Sequence, residues 1–503
     1  MLKLPILKRF SPFLTDIVIT SFTTVTVAIC NILLVRIIAR GLGPEELGIY
    51  TLVKRTVSIL LPFTTLSIGI GLARYIALYE GKGQKTEIIL PAALALSLSC
   101  TFLFCFASLP FSGLLSNLLF NQAGREFLFI LILFLLIGDN LYTCLYSYYR
   151  GRQQILNANI WSILIMGILP ISIAGIFIQW KNVSYIIFGI GCLLYLSLIS
   201  LLPKIINGLR STSREEFMSM AKKLLAYSIP RAPGGVALGL IFTFGVLISP
   251  YTGGLANTAY LSIGIWIFGI LEMATSGFGV IILPKAAGLV GGGNEQFLIN
   301  KLRSIYDLIL HIGLFVVIQL ILIVDFLIFI WVGFKYAEAV PISRIIFLAM
   351  IPFFFYTMMR SIIDAVEKKA INAFNLYISL IVTISSSLVL LKLGLGLTAL
   401  AIGFDSGLIT LGILTHKFMN NRYHIKLLPD NFYSVLLINI LMGLFIYFVK
   451  YEMINNHFSY QIFALVLSLQ ALCGITYLFV LRKLGSTWIK DFEERISVKR
   501  TMN

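Results

Sequence analysis

The stretch FLFILILFLLIGDNLYTCLYSYY, residues 127–149, is followed at once by Arg150-Gly151-Arg152, and its reading decides the class of fold. Residues 127–137 are all apolar, and the one charged residue of the stretch, Asp139, stands near its middle. A hydrocarbon layer about 30 Å thick is crossed by roughly 20 such residues in a helix. An apolar run of this length that ends in arginines reads as a membrane span with its basic end toward the cytoplasm.

The same pattern recurs along the chain. Of the 503 residues, 58% are apolar and 12% are charged, where a soluble domain carries about 25% charged residues. Fourteen runs pass the length test: 16–39, 47–73, 87–110, 127–149, 155–179, 183–202, 224–249, 255–282, 305–330, 339–364, 371–391, 398–415, 431–449 and 459–481. The sequence therefore predicts an all-α polytopic membrane protein of about 14 transmembrane helices. The first run is too long for a signal peptide and lacks a small-residue cleavage site, so it reads as a retained helix.

Lysine and arginine set the expected orientation, because cytoplasmic loops hold their excess. With the N-terminus and every second loop inside, 27 of the 39 basic residues fall on the inner side. The outer loops hold six, Arg40, Arg125, Lys181, Lys335, Lys392 and Lys450, and six more lie within spans. Both termini are expected in the cytoplasm of a cell-membrane protein. The net charge of +17 is then a matter of topology and of attraction to anionic inner-leaflet lipid, with no call for nucleic acid.

Several chemistries drop out. The six cysteines lie in apolar stretches without a CxxC pair, and the four histidines show no HExxH spacing, so no metal site is expected. Gly291-Gly292-Gly293 is not followed by Lys-Ser or Lys-Thr, so no nucleotide-binding loop is present and no cofactor is expected. No connecting segment exceeds about 25 residues, which leaves no room for an extramembrane catalytic domain; the protein is not expected to be an enzyme. The longest connection, 203–223, contains Ser211-Thr212-Ser213-Arg214-Glu215-Glu216, which reads as a capping box opening a surface helix.

Internal symmetry organises the spans. Gly43 stands seven residues before Tyr50 after span 1, and Gly253 stands seven before Tyr260 after span 7. Spans 4 and 10 each end in a basic inner loop, at Arg150 and at Lys368-Lys369. These offsets fit two six-helix lobes in one orientation, residues 1–203 and 224–426. The segment 204–223 joins them, and 427–503 adds two helices with a basic tail. Repeats of this kind are common in transporters, with the substrate between the halves.

Ile38-Ala-Arg-Gly-Leu-Gly-Pro-Glu-Glu-Leu-Gly-Ile-Tyr-Thr-Leu52, followed by Gly69-Ile-Gly-Leu-Ala-Arg-Tyr75, resembles the start of the polysaccharide flippases. These are the O-antigen and capsule translocases of the multidrug/oligosaccharidyl-lipid/polysaccharide exporter superfamily. Tyr227-Ser-Ile-Pro-Arg231, Leu283-Pro-Lys285 and Gly333-Phe-Lys-Tyr336 extend the resemblance over the whole chain. It implies a V-shaped pair of six-helix lobes with a cavity lined chiefly by spans 1, 2, 7 and 8. It also implies an oligosaccharide on a polyprenyl phosphate or pyrophosphate carrier, moved outward by alternating access for cell-surface polysaccharide synthesis. Membrane lipids and other polysaccharide-assembly membrane proteins are the implied partners. One departure stands out: where relatives often carry an acid late in span 7, this chain reads Ile241-Phe-Thr-Phe-Gly-Val246.

Charge inside a span costs about 2.5–3.5 kcal/mol at the helix centre and calls for a partner, a route to the interface or a task. Arg36 on span 1 and Lys54 and Arg55 on span 2 fall at one depth below the outer loop by residue count. They form either a cationic wall that binds phosphate or side chains that snorkel to outer headgroups. Arg231, in Pro230-Arg231-Ala232-Pro233-Gly234-Gly235, either lines a cavity at a broken helix or reaches inner-leaflet phosphate. Asp139, Glu272 and Asp405 are candidates for charge pairing or for proton or sodium exchange. Arg360 and Asp364, four apart, are expected to satisfy each other. Asp325 and Arg344 sit near the outer boundary and are given no role. Two rival readings remain: a cation-coupled multidrug exporter of the same superfamily, which would want an acidic cavity, and a membrane glycan polymerase or ligase, which would need a larger and more charged outer loop.

Overall fold

The computed structural model describes residues 12–210, 213–229, 232–291, 295–366, 370–426, 428–429, 431–454, 459–486 and 488–489. Among them the regular structure is helical throughout. Packing divides the chain into two compact units, Met1–Ala259 and Tyr260–Asn503.

The first unit opens with α1 (Pro12–Leu42), α2 (Pro44–Thr64), α3 (Ile68–Gly81), α4 (Ile89–Ser108), α5 (Ser112–Phe120) and α6 (Glu126–Gly151). It continues with α7 (Ile155–Ile163), α8 (Leu169–Phe177), α9 (Val183–Tyr195), α10 (Ser197–Arg210), α11 (Arg214–Ser228) and α12 (Ala232–Ile248). The second contains α13 (Leu255–Gly291, whose first turn belongs to the first unit), α14 (Glu295–Trp331), α15 (Ala339–Ile346) and α16 (Met350–Val366). After these come α17 (Ile371–Lys392), α18 (Leu397–Tyr423), α19 (Phe432–Ile454) and α20 (Tyr460–Lys483).

Twelve helical stretches are long and apolar enough to cross a membrane, and the bent pair α2–α3 makes a thirteenth. The shorter apolar helix Val236–Thr252 stands where the seventh span is expected, so the fourteen predicted runs are all accounted for. Two boundaries differ from the sequence reading. The helices α13 and α14 are each 37 residues long, about 55 Å, whereas hydropathy ended the one at 282 and began the other at 305. Hydropathy marks where hydrocarbon stops; a helix with good formers continues into the polar zone.

In hydrocarbon every backbone polar group needs a partner within the protein, and two irregular places in the first unit show how that is met. In α2, Pro62 lies inside the helix, and four residues on the chain leaves helical geometry at Leu66 and Ser67, both at positive φ (50° and 52°). The span bends by 54° there. The hydroxyls of Thr64 and Thr65 donate to the Leu61 carbonyl at 3.3 and 2.7 Å, and Ser67 N donates to the Pro62 carbonyl at 3.2 Å.

The second place is the π-helical turn Leu164–Ile168 between α7 and α8. Pro170 has no N–H to give to the carbonyl four residues earlier, that of Met166. Asn31 of α1 supplies the donor: its Nδ2 reaches the Met166 carbonyl at 3.4 Å while also bonding Val27 O at 2.9 Å.

Loop contacts confirm the alternation of ends. At one end of the first unit, Arg125 pairs with Glu45 at 3.4 Å, Val183 N donates to Glu46 Oε2 at 2.7 Å, and the Tyr251 hydroxyl donates to Leu118 O at 2.6 Å. At the other end, Arg152 reaches Thr86 Oγ1 at 2.9 Å and Glu80 at 3.4 Å, and Lys223 donates to the Tyr79 hydroxyl at 3.1 Å. The connecting segment forms the expected surface helix α11, capped by Ser213 and Glu216 in a reciprocal capping box. Arg74 of α3 stacks over Tyr227 of α11 at 4.1 Å and fixes the helix to the unit.

The sequence repeat also has a backbone counterpart. Gly43 directly before α2 and Gly253 two residues before α13 both take positive φ, 97° and 146°. The repeat boundary is not a packing boundary, however: α12 belongs to the first unit.

Close packing where these elements meet rests on small residues. A Cβ on Gly48 of α2 would lie 1.9 Å from the Leu255 carbonyl oxygen, a backbone atom that cannot rotate away. Gly239 of α12 has nothing within 4 Å of the same position. Gly48→Ala is therefore expected to destabilise the protein by about 1–3 kcal/mol, and Gly239→Ala to be neutral or to stabilise by up to about 1 kcal/mol. Thermal unfolding of the two purified variants in detergent checks this; equal midpoints would contradict the packing.

Candidate functional site

Three consecutive residues of α6 face three different helices, as 100° per residue requires. Gly138 lets Leu194 of α9 approach, since a Cβ there would lie 2.8 Å from Leu194 Cβ. Asn140 donates to Thr101 Oγ1 of α4 at 2.9 Å, and Cys144, one turn on, continues that polar thread to Ser97. Asp139 between them turns to α2, where Lys54 Nζ lies 4.0 Å from its Oδ2. The Asp139 side chain is 11% exposed and that of Lys54 is 34% exposed, so the pair is sealed on the acid side and open on the lysine side. Asp139 is thus a charge-pairing residue, and its partner is a lysine of the neighbouring helix.

The cations around this pair follow from how α1 and α2 are joined. Pro44 at the first position and Glu45 and Glu46 in the first turn start α2 directly after Gly43, earlier than the run at 47. Counted from Gly43, Arg36 lies about 10 Å along α1, and Lys54 and Arg55 about 16–18 Å along α2. The three are therefore staggered in depth, where the count from a later helix start put them level. Arg36 is half-buried and has a partner within the chain. Arg55 is half-buried, and among the described residues its guanidinium makes no hydrogen bond or ion pair. Among the described residues Arg55 thus carries an unanswered positive charge in this region of the first unit. Arg231, the fourth predicted cation, lies outside the described residues, as do Lys368 and Lys369.

The second unit holds the other two acids. Glu272 of α13 is half-buried and partnered, and Arg360 of α16 is close enough to act on it electrostatically. Asp405 of α18 is 5% exposed, and its Oδ1 has no hydrogen-bond partner among the described residues. Around it α17 and α18 pack through Gly403 on Ser387 and Gly407 on Thr383. Arg360 and Asp364 do not pair as expected. Asp364 instead accepts from Asn372 Nδ2 at 2.7 Å, and the same amide donates to the Arg360 carbonyl at 2.9 Å, closing the α16–α17 connection.

Two further polar groups were passed over in the sequence. Asp325 of α14 accepts from Lys450 of α19 through both oxygens, at 2.6 and 2.7 Å, and Arg344 Nε donates to Ile321 O at 3.2 Å. Lys450 was counted as an outer-loop residue; an acid six residues inside an apolar run was the signal that it had a partner. His311, fully buried, joins Ser486 Oγ at 2.9 Å and Asn431 Oδ1 at 3.1 Å, and its carbonyl accepts from the Tyr477 hydroxyl at 2.9 Å. A lone histidine in an apolar run, with polar loops at the same end of two later spans, was the corresponding signal.

No family model matches the chain, and no curated protein is similar to it in sequence. Solved structures do share its fold. The MurJ lipid II flippase in an inward closed conformation is 15% identical, with a TM-score of 0.67 over 93% of this chain and 99% of that one. An inward-facing multidrug resistance MATE family transporter of the MOP superfamily is 18% identical, with a TM-score of 0.63 over 81% of this chain and 98% of that one. A MOP superfamily transporter from Pyrococcus furiosus is also 18% identical, with a TM-score of 0.52 over 81% of this chain and 93% of that one. The chain is a multi-pass membrane protein with the fold of these MOP-superfamily transporters, as the sequence resemblance implied.

The half-open Lys54–Asp139 pair has a measurable worth. Asp139→Asn leaves the lysine uncompensated and is expected to lower stability by about 1–2 kcal/mol, below the 3–5 kcal/mol of a fully buried pair. Lys54→Met combined with Asp139→Leu should recover most of that loss. Unfolding of the three variants in detergent decides it; a double variant no more stable than Asp139→Asn would contradict the pairing.

Proposed function

We propose that this protein is a flippase. It moves an oligosaccharide on a polyprenyl phosphate or pyrophosphate carrier from the inner to the outer leaflet of the cytoplasmic membrane, by alternating access, for cell-surface polysaccharide assembly. The observation that carries the reading is Arg55 of α2, half-buried and without a hydrogen bond or ion pair for its guanidinium among the described residues, next in sequence to Lys54, whose ammonium stands 4.0 Å from Asp139. Positive charge held within a span is costly, and an anionic headgroup offsets it. A guanidinium such as that of Arg55 matches phosphate oxygens in a two-pronged geometry. Lys54, open on one side, can turn from Asp139 toward the ligand while the carboxylate limits the affinity, so that the headgroup can leave again. Arg231 is assigned to the same headgroup from the start of the second repeat. The saccharide is neutral or polar cargo beside it, and the polyprenyl tail stays in the bilayer. That one transporter of this fold is named for flipping lipid II agrees with a lipid-linked substrate. No bond is made or broken.

One observation favours the exporter reading in part. The Asp405 oxygen without a partner is suited to take up a proton or sodium ion, and Glu272 is a second acid in the same unit. Cation coupling through the second unit is compatible with a flippase, and we assign Asp405 that role; a cationic drug as substrate is harder to reconcile with the basic balance of the first unit.

Reconstitution in proteoliposomes tests both. Wild-type protein is expected to invert a fluorescent polyprenyl-pyrophosphate glycan. Arg36→Ala with Arg55→Ala, folded and inserted, should lose at least about tenfold in rate, since each charge-assisted hydrogen bond is worth about 1.5–3 kcal/mol. Export of a cationic dye down an imposed sodium or proton gradient, without glycan-lipid movement, would overturn the flippase reading in favour of the exporter.

A further inference from the structure

Away from the cationic helices, the second unit holds a cleft of about 530 Å³ at the end of the bundle where α14 begins and α18 and α20 end. The chain leaves α18 through His424, whose positive φ of 50° turns it back across the helix ends. Ile425, Lys426, Leu428, Pro429 and Asn431 then line one side of the cleft, and Leu484 and Gly485, after α20, close another. His311 fastens both connections to α14, through Asn431 on the one and Ser486 on the other, and Tyr477 of α20 donates to its carbonyl. The cleft is therefore held open by hydrogen bonds independent of any ligand.

Its wall is mixed in a particular way. Among the described residues, Arg303 of α14 and Lys426 of the connection bring positive charge against the acid Asp307, with Tyr306, His424 and Asn431 as further polar groups. Arg303 and Lys426 are both exposed. Among the described residues the Arg303 guanidinium makes no hydrogen bond or ion pair, while Lys426 and Asp307 each have a partner in the chain. Leu428, Pro429 and Leu484 make the remaining wall apolar. The apolar run of this span begins at 305, so Arg303 stands at the membrane boundary, and by the distribution of basic residues this is the cytoplasmic side.

We propose that this cleft seats a phosphate group, that of an anionic phospholipid of the inner leaflet, on Arg303 and Lys426. A soluble phosphate would need only the cations. An apolar wall beside them, at the depth where glycerol and the first acyl carbons lie, fits a lipid headgroup, and basic pockets between helices on this side of a membrane are suited to such lipids. The bound lipid joins α14 to the two connections that His311 already holds, and so braces the base of the second unit.

The experiment uses the full chain in maltoside detergent, with dioctanoyl-phosphatidylglycerol, dioctanoylglycerol and inorganic phosphate as separate probes. Binding is followed by the thermal shift and by native mass spectrometry. Phosphatidylglycerol is expected to bind and stabilise, and dioctanoylglycerol, which lacks the phosphate, is not. Arg303→Gln should weaken phosphatidylglycerol about fivefold, and Arg303→Gln with Lys426→Gln about 25-fold, from roughly 1 kcal/mol per cation at a membrane surface. Both residues are exposed, so the variants should keep the wild-type midpoint without lipid. Lys417→Gln with Lys483→Gln, which removes nearby charge outside the cleft, should bind as wild type does. Equal weakening by that control pair, unchanged binding in the Arg303 and Lys426 variants, or full stabilisation by dioctanoylglycerol would each overturn the proposal. If inorganic phosphate alone reproduces the whole effect, the lipid as its source is overturned and the phosphate seat on these two cations is upheld.

Discussion

The rest of the structure depends on one constraint: in hydrocarbon a backbone N–H or C=O has no water to fall back on. Helix answers that demand segment by segment, which is why the regular structure described is helical throughout. Two of the places where α-helical bonding fails in the first unit follow a proline or precede one by a few residues, and in both nearby donors answer the freed carbonyls. At the α2–α3 break Ser67 N and Leu66 N donate to the Pro62 and Phe63 carbonyls and the Thr101 hydroxyl of α4 to that of Thr64, and an asparagine from α1 answers the Met166 carbonyl at the π-helical turn. A bend of 54° in the middle of a span is therefore compatible with burial because donors are supplied where the bend is made.

The same demand governs charge, and the two units meet it differently. In the first, Asp139 has Lys54, and the excess is cationic. In the second, Asp325 is gripped by Lys450 through both oxygens, Arg360 lies within reach of Glu272, and Asp405 keeps an oxygen unanswered. An excess of cations suits an anionic ligand, while a carboxylate oxygen left over suits a small cation. On the function proposed above, anion recognition falls to one unit and cation uptake to the other, so that substrate and driving ion are not placed on the same helices.

Most of the fold was legible in the sequence, because a span is a property of composition over about 20 residues and needs no knowledge of neighbours. The loop alternation was legible for the same reason, and the contacts of Arg125, Arg152 and Lys223 agree with it. The site was legible only as a set of residue types. Gly138, Asp139 and Asn140 are adjacent in sequence but address three helices, and nothing local says that the partner of Asp139 is Lys54. The count that set Arg36, Lys54 and Arg55 level failed because Pro44 starts α2 earlier than hydropathy does. Lys450 and His311 were missed because each looked complete by itself: one a loop lysine, the other a single polar residue in a span.

The bond between Asn31 and the Met166 carbonyl has a consequence for descent. Pro170 removes a donor that Asn31 replaces, so the two residues are expected to change together in descent. A lineage that replaces Pro170 by an ordinary helix former closes the turn and frees position 31 to drift toward leucine or valine. A lineage that loses Asn31 first carries an unanswered carbonyl in the bilayer until the proline is lost as well. The two positions, on different helices, are in effect inherited as one character.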